Sequence, residues 1–146
     1  MQDYARVLGA DCAFFIENHP VFAFGKGDEF EPIAIDLSNY HLVLVKPPVQ
    51  VSTAAAYAGI EPASPTRSVK DLIHLPVETW RAHLKNDFEG PVFSKYPEIE
   101  RIKAKLYQSG ALFSLMSGSG SCVYGIFDRQ LSLPELEKNN KVFYNV

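Results

Sequence analysis

Ser117-Gly118-Ser119-Gly120-Ser121-Cys122, enclosed by the apolar runs Ala111 to Met116 and Val123 to Phe127, is the stretch on which the reading of this chain turns. Two short apolar runs joined by a glycine-containing loop read as a β-hairpin. The composition of the loop adds something to that. Its glycines are free to take φ > 0, and its serines are too small to block the close approach of an anion. On the residues alone two readings stand open: turn geometry and nothing more, or a loop whose backbone amides meet a phosphate.

Working outward, His41 to Lys46 is a continuous apolar strand stopped by Pro47-Pro48, neither of which can donate to a ladder. Ser52-Thr53 opens an alanine-rich stretch to Ala58 that Gly59 closes, which predicts a short helix with a hydroxyl cap. Glu61 to Pro65 reads as a loop, and Ser68 to Ile73 as a second short helix. Val77, Trp80 and Leu84 have the spacing of a core-facing helix. Ile99, Ile102 and Leu106 repeat it, with Pro97 at the start, Lys103 and Lys105 in the last turns and Gly110 just past the end. Ser132-Leu133-Pro134-Glu135 has capping-box spacing for a last short helix, and Lys141 to Val146 reads as a closing strand. Upstream, Val21 to Phe24 and Phe30 to Ile35 flank Gly25-Lys26-Gly27-Asp28 as a hairpin. From His41 onward the order is β-α-β-β-α-β. It predicts an α+β fold of the split βαβ or ferredoxin-like kind, an antiparallel sheet with helices over one face.

A length of 146 residues, 47% hydrophobic and 21% charged, suits one globular domain. The net charge of −3, with dispersed lysines and arginines, argues against nucleic acid as a partner. No apolar run approaches the ~18 residues of a bilayer span, and Met1-Gln2-Asp3-Tyr4 lacks the features of a signal peptide, so a cytoplasmic location is expected. Cys12 and Cys122 form no C-x-x-C pair and are expected as buried thiols. His19, His41, His74 and His83 show no ligand spacing, and no metal ligand is assigned.

Two further segments change the weight of the loop. Leu8-Gly9-Ala10-Asp11-Cys12-Ala13-Phe14-Phe15, then Val49-Gln50-Val51-Ser52-Thr53-Ala54-Ala55-Ala56-Tyr57, then the Ser/Gly loop resemble, in this order, three motifs of the GHMP kinase superfamily. Within it the likeness is strongest to the branch that acts on a cytidine diphosphate derivative in non-mevalonate isoprenoid synthesis. The resemblance runs over nearly the whole chain. It implies an ATP-dependent kinase acting on a small-molecule alcohol, with Mg2+ accompanying ATP. The superfamily's lysine-bearing first strand and glycine-rich phosphate loop have no counterpart in this sequence. The chain therefore resembles the C-terminal half of such an enzyme, with residues 1–36 as a remnant of the N-terminal domain and 37–146 as the C-terminal domain. The fragment alone is expected to be inactive and capable of self-association through its exposed phenylalanines.

The resemblance also implies roles. Asp11 matches the proposed catalytic base, although from the residues alone a capping or turn aspartate is the favoured reading. Cys12-Ala13 stands where the pattern usually has Val-Pro, which removes a fixed φ near Asp11 but no chemical group. Thr53 and Tyr57, four apart on one helix face, match a substrate-side hydroxyl and a ring that stacks on cytosine; the plain alternative is that Tyr57 packs the helix onto the sheet. Ser117, Gly118, Ser119, Gly120 and Ser121 match the loop near the nucleotide phosphates. Arg67-Ser68 also fits the pattern, without a chemical role. A homoserine- or mevalonate-type kinase, or a non-catalytic ferredoxin-like ligand-binding module, are the competing readings.

Overall fold

Val43 and Val45 stand two residues apart on one strand, both at most 1% exposed, and the sheet is built around them. The computed structural model describes residues 4, 7–9, 12–61 and 67–146. Its described part divides into two units, Met1–Asp36 and Leu37–Val146. The first holds α1 (Phe14–Glu17) and a hairpin of β1 (Val21–Phe24) and β2 (Glu29–Pro32), paired antiparallel with Phe24 opposite Glu29. The second strand is shorter than Phe30 to Ile35; after Pro32 one further bond, Ile33 N–H to Pro20 O, closes the hairpin.

The second unit contains β3 (His41–Lys46), α2 (Thr53–Ala58), α3 (Val69–Leu72), α4 (Val77–His83), α5 (Glu89–Lys95), α6 (Pro97–Gln108), β4 (Phe113–Met116), β5 (Val123–Phe127), α7 (Pro134–Glu137) and β6 (Lys141–Tyr144). The four strands form one antiparallel sheet in the order β4-β5-β3-β6. β3, a near-continuous apolar run, takes a central place, with Val43 and Val45 buried on one face and Leu42 and Leu44 half-buried on the other. Val43 lies opposite Gly125 and Val45 opposite Val123, so Val43, Val45, Val123 and Phe127 share one face. That face meets Ile99, Ile102 and Leu106 of α6, the stripe expected from their spacing. An added Cβ at Gly125 would sit 3.4 Å from a Leu106 methyl and 2.9 Å from the Phe127 ring, so the bare backbone there lets α6 lie close on the sheet.

Phe113 and Ile126 point to the opposite face, and Trp80 of α4 meets Phe113 edge-on at 5.5 Å. Helical cover is thus not confined to one face, because Trp80, 4% exposed with its ring N–H on Leu75 O at 2.8 Å, also buries the end of β4 on the other. Three more expectations need correction. α5 was not foreseen. α7 has no capping box: Leu133 is its cap residue, Tyr144 Oη receives the Leu133 N–H at 2.8 Å, and Glu135 pairs with Lys138 instead. The cysteines are not buried thiols, for Cys12 is exposed and Cys122 only half-buried. Among the described residues no helix is long and apolar enough to cross a membrane.

Burial, reinforced by the charges of Glu89 and Tyr107, pushes the Tyr124 phenol up to about 12. An unfolded tyrosine ionises near 10 (~10), so between about pH 10 and 12 the unfolded chain sheds a proton that the native one keeps. The associated stability is intact below about pH 10 and declines through this window by on the order of 2–3 kcal/mol. Tyr124→Phe should remove that part of the decline. Denaturant titrations of both proteins at about pH 9 and 11.5 check it, and equal losses in the two would refute the assignment.

Candidate functional site

The Ser/Gly loop closes the β4-β5 hairpin, with Gly118 at φ +54° and Gly120 at φ +94°. Left-handed backbone at both positions is what the glycines supply. Gly120 has a second reason to lack a side chain, since a Cβ there would come within 3.0 Å of Met116 Sδ. Gly118 faces open space. The loop holds itself with Ser117 N–H on Cys122 O at 2.8 Å and Gly120 N–H on Ser117 O at 3.0 Å. The amides of Gly118 and Ser119 meet no acceptor among the described residues. Ser121 turns inward instead, donating its hydroxyl proton to Val49 O at 2.6 Å, so that side chain anchors the loop to the segment before α2.

α2 begins as its sequence demands, Ser52 Oγ accepting from Ala55 N–H and Gly59 ending it. The first helical residue, Thr53, shares a hydrogen bond of 3.3 Å with Ser119 Oγ at the loop tip. The second and third sequence motifs therefore meet in space. One turn on, Tyr57 is 64% exposed, which excludes the reading in which it packs α2 onto the sheet. Its ring meets Phe88 edge-on at 4.8 Å. The two rings stand nearly perpendicular, at 78°, and most of the Tyr57 side chain is open to water. Asp11 lies outside the described residues.

Asn86, Phe88 and Glu89 have no part in the sequence reading, yet they build the floor of this site. Asn86 Nδ2 donates to Met116 O at 2.8 Å and to Gly118 O at 2.7 Å, while its Oδ1 accepts from Phe88 N–H at 3.0 Å. Glu89 Oε1 accepts from Met116 N–H at 2.9 Å, and its other oxygen holds Lys103 Nζ at 2.6 Å. Tyr107 Oη both donates to Ser114 O and accepts from Ser114 N–H, each at 3.1 Å. Ser114 and Met116 are the residues whose backbone points away from β5, so these side chains complete the outer edge of β4 where another strand would otherwise pair. The one local signal that could have pointed to Asn86 is the tendency of asparagine to bond the amide two residues ahead; no local signal points to its partners thirty residues on.

On the far side of the loop, Gly120 to Cys122 border a groove of about 750 Å³ with Lys46, Lys138 and Lys141 on its rim. Among the described residues no group of three or more His, Cys, Asp or Glu side chains could hold a metal ion.

A sequence profile described as "GHMP kinases C terminal" matches residues 68–145, a range that includes the hairpin loop with its positive-φ glycines. The chain belongs to this family. The matched region of the GHMP kinase fold takes in the loop and Asn86 to Glu89. The chain is 50% identical to a 4-diphosphocytidyl-2-C-methyl-D-erythritol kinase of Parabacteroides distasonis, over 92% of this chain and 50% of the relative. It is 49% identical to the protein of that name from Bacteroides thetaiotaomicron, over 98% and 52% respectively. A crystal structure of 4-(cytidine 5'-diphospho)-2C-methyl-D-erythritol kinase superposes with a TM-score of 0.75 at 25% identity, covering 98% of this chain and 55% of that one. This GHMP kinase chain thus spans about half the length of the curated relatives it matches.

Proposed function

We propose that this chain is part of an ATP-dependent kinase that phosphorylates the free hydroxyl of 4-diphosphocytidyl-2-C-methyl-D-erythritol, a step of non-mevalonate isoprenoid precursor synthesis. The observation that carries the reading is the 3.3 Å contact of Thr53 with Ser119, which joins the substrate-side helix to the phosphate-side loop. In this reading Tyr57 stacks on the cytosine, the Thr53 hydroxyl bonds the substrate, and the Gly118 and Ser119 amides face the phosphates of ATP. Asp11 takes the proton of the attacking hydroxyl. Mg2+ arrives with the nucleotide and neutralises its phosphates; none of the described residues is assigned to it. The split βαβ, ferredoxin-like class is supported by the strand order, and residues 1–36 are read as a hairpin and catalytic segment belonging to an N-terminal kinase domain. Turnover of the cytidyl substrate by the complete protein with ATP tests the assignment. Activity on homoserine or mevalonate in its place would overturn it.

Tyr57→Ala in the complete protein should raise the Michaelis constant for the cytidyl substrate by roughly 5- to 100-fold, the loss of a base-stacking surface worth ~1–3 kcal/mol. Tyr57→Phe should change it little. An alanine variant with unaltered KM would dismiss the ring as a base platform.

The 146-residue chain by itself offers ATP one glycine-containing loop, and the superfamily's glycine-rich phosphate loop has no counterpart in its sequence. Calorimetric titration should therefore find no micromolar ATP binding, and a micromolar constant would contradict the proposal that a second phosphate loop is needed. Phe15 at 69% and Phe24 at 41% exposure give the chain apolar surface through which it self-associates. A strictly monomeric mass by light scattering would refute that.

A further inference from the structure

We propose that the turn Asn86–Glu89 is a positioning element that couples the two subsites: it fixes the Ser/Gly loop through Asn86 and Glu89 and the Tyr57 ring through Phe88. The inference deepens the kinase reading and rests on it for the identity of the two ligands. Its physical basis is independent. Asn86 uses both protons of its amide on two carbonyls of the loop, Met116 O and Gly118 O, and its oxygen on Phe88 N–H. Through these bonds one side chain ties the loop to the turn that carries Phe88. Phe88 in turn is the ring against which Tyr57 rests at 4.8 Å. Glu89 adds a third tie, to Met116 N–H, and is itself held by Lys103, the two side chains being 13% and 21% exposed. Gly118 O drawn onto Asn86 turns the N–H of the same planar peptide, that of Ser119, the opposite way, the orientation an incoming phosphate needs. A base stacked on Tyr57 presses on Phe88, so occupancy of the base platform stiffens the phosphate loop. A chain of packed and hydrogen-bonded groups of this kind is the physical route by which two sites bias one another.

Asn86→Asp separates the parts of this device, because a carboxylate still accepts from Phe88 N–H but has no proton for the two carbonyls. Amide exchange in the ligand-free chain reads the outcome at Ser117 and Gly120, the two donors inside the loop, with the β3 and β5 amides as reference for global opening. Asn86→Asp should speed exchange at both by about tenfold or more, the scale of losing one or two hydrogen bonds, and leave the reference amides unchanged. Asn86→Ser, which also caps the turn but cannot span both carbonyls, should do the same and serves if the aspartate variant does not fold. Phe88→Leu should speed loop exchange by about threefold or more in the wild-type background and not at all beside Asn86→Asp, the non-additivity of residues that act as a unit. Loop exchange within twofold of wild type in both Asn86 variants, or an equal Phe88→Leu effect in both backgrounds, would overturn the proposal. In the complete enzyme Asn86→Asp should lower kcat by roughly 10- to 100-fold, the effect of a misplacement of about 1 Å, with the KM for the cytidyl substrate within about twofold. An unchanged kcat overturns the positioning role. Failure of the complete wild-type enzyme to phosphorylate the cytidyl substrate would instead overturn the kinase reading and leave the exchange result to decide the coupling.

Discussion

Asp11→Asn in the complete enzyme should lower the turnover number by roughly 10²–10⁴, while both Michaelis constants stay close to wild type. Phosphoryl transfer to an alcohol asks little covalent chemistry of a protein. It needs the two reactants in line, their charge neutralised, and an acceptor for the hydroxyl proton. Asparagine keeps the size and polarity of the side chain but cannot take that proton, so binding survives and the chemical step does not. A capping aspartate would behave in the opposite way, because asparagine caps helices as well as aspartate does, and neither stability nor turnover would move. Steady-state kinetics beside a thermal melt separates the two roles. An asparagine variant that retains more than about a third of wild-type turnover would remove Asp11 from the mechanism.

Leu106→Ala should destabilise the chain by ~2–5 kcal/mol, a large part of the ~5–15 kcal/mol that holds a domain of this size together. Leu106 is fully buried, its methyl group lies against the bare backbone of Gly125, and Ile99 and Ile102 pack in the same row above it. Gly125 carries no side chain that could move into the space, so the cavity persists. Urea denaturation should show a lower midpoint with an unchanged slope. Loss of less than about 1 kcal/mol would mean that the α6 seam collapses around the gap and is not the rigid contact described here. The contrast with Tyr57 is informative. At 64% exposure its alanine variant should leave the midpoint almost unmoved, so a loss of substrate binding there cannot be blamed on unfolding.

Elements whose cause is local were legible in the amino-acid order. Pro97 at the first helical position and the Ile99-Ile102-Leu106 stripe specify α6 and the face it buries, because propensity, period and terminus signals agree. Ser52 and Gly59 bracket α2 in the same way. β3 was legible as the apolar run Leu42 to Val45, but with leucines on one side and valines on the other its sequence did not say which side meets α6. The glycines of the loop announced its left-handed backbone. Where local signals conflict with a distant partner, the distant partner prevailed. Ser132 and Glu135 have the spacing of a capping box, yet Tyr144, eleven residues after Leu133, takes the Leu133 amide and Lys138 takes Glu135.

Only the tertiary structure decided how the site is held. That Asn86 reaches across thirty residues to two carbonyls of the loop, that Glu89 and Tyr107 finish the open edge of β4, and that Tyr57 rests on Phe88 all depend on which strand lies at the sheet edge. An edge strand leaves every second amide and carbonyl unpaired, and the chain meets that demand with whichever side chains the fold carries past. Sequence by itself determined the chemistry on offer, hydroxyls, an aromatic ring and a glycine-bearing loop, in an order that resembles the motifs of the family. Their convergence, Thr53 on Ser119 and the loop strapped to Asn86, follows from the sheet order, a property of pairings between residues far apart in the chain that no local window contains.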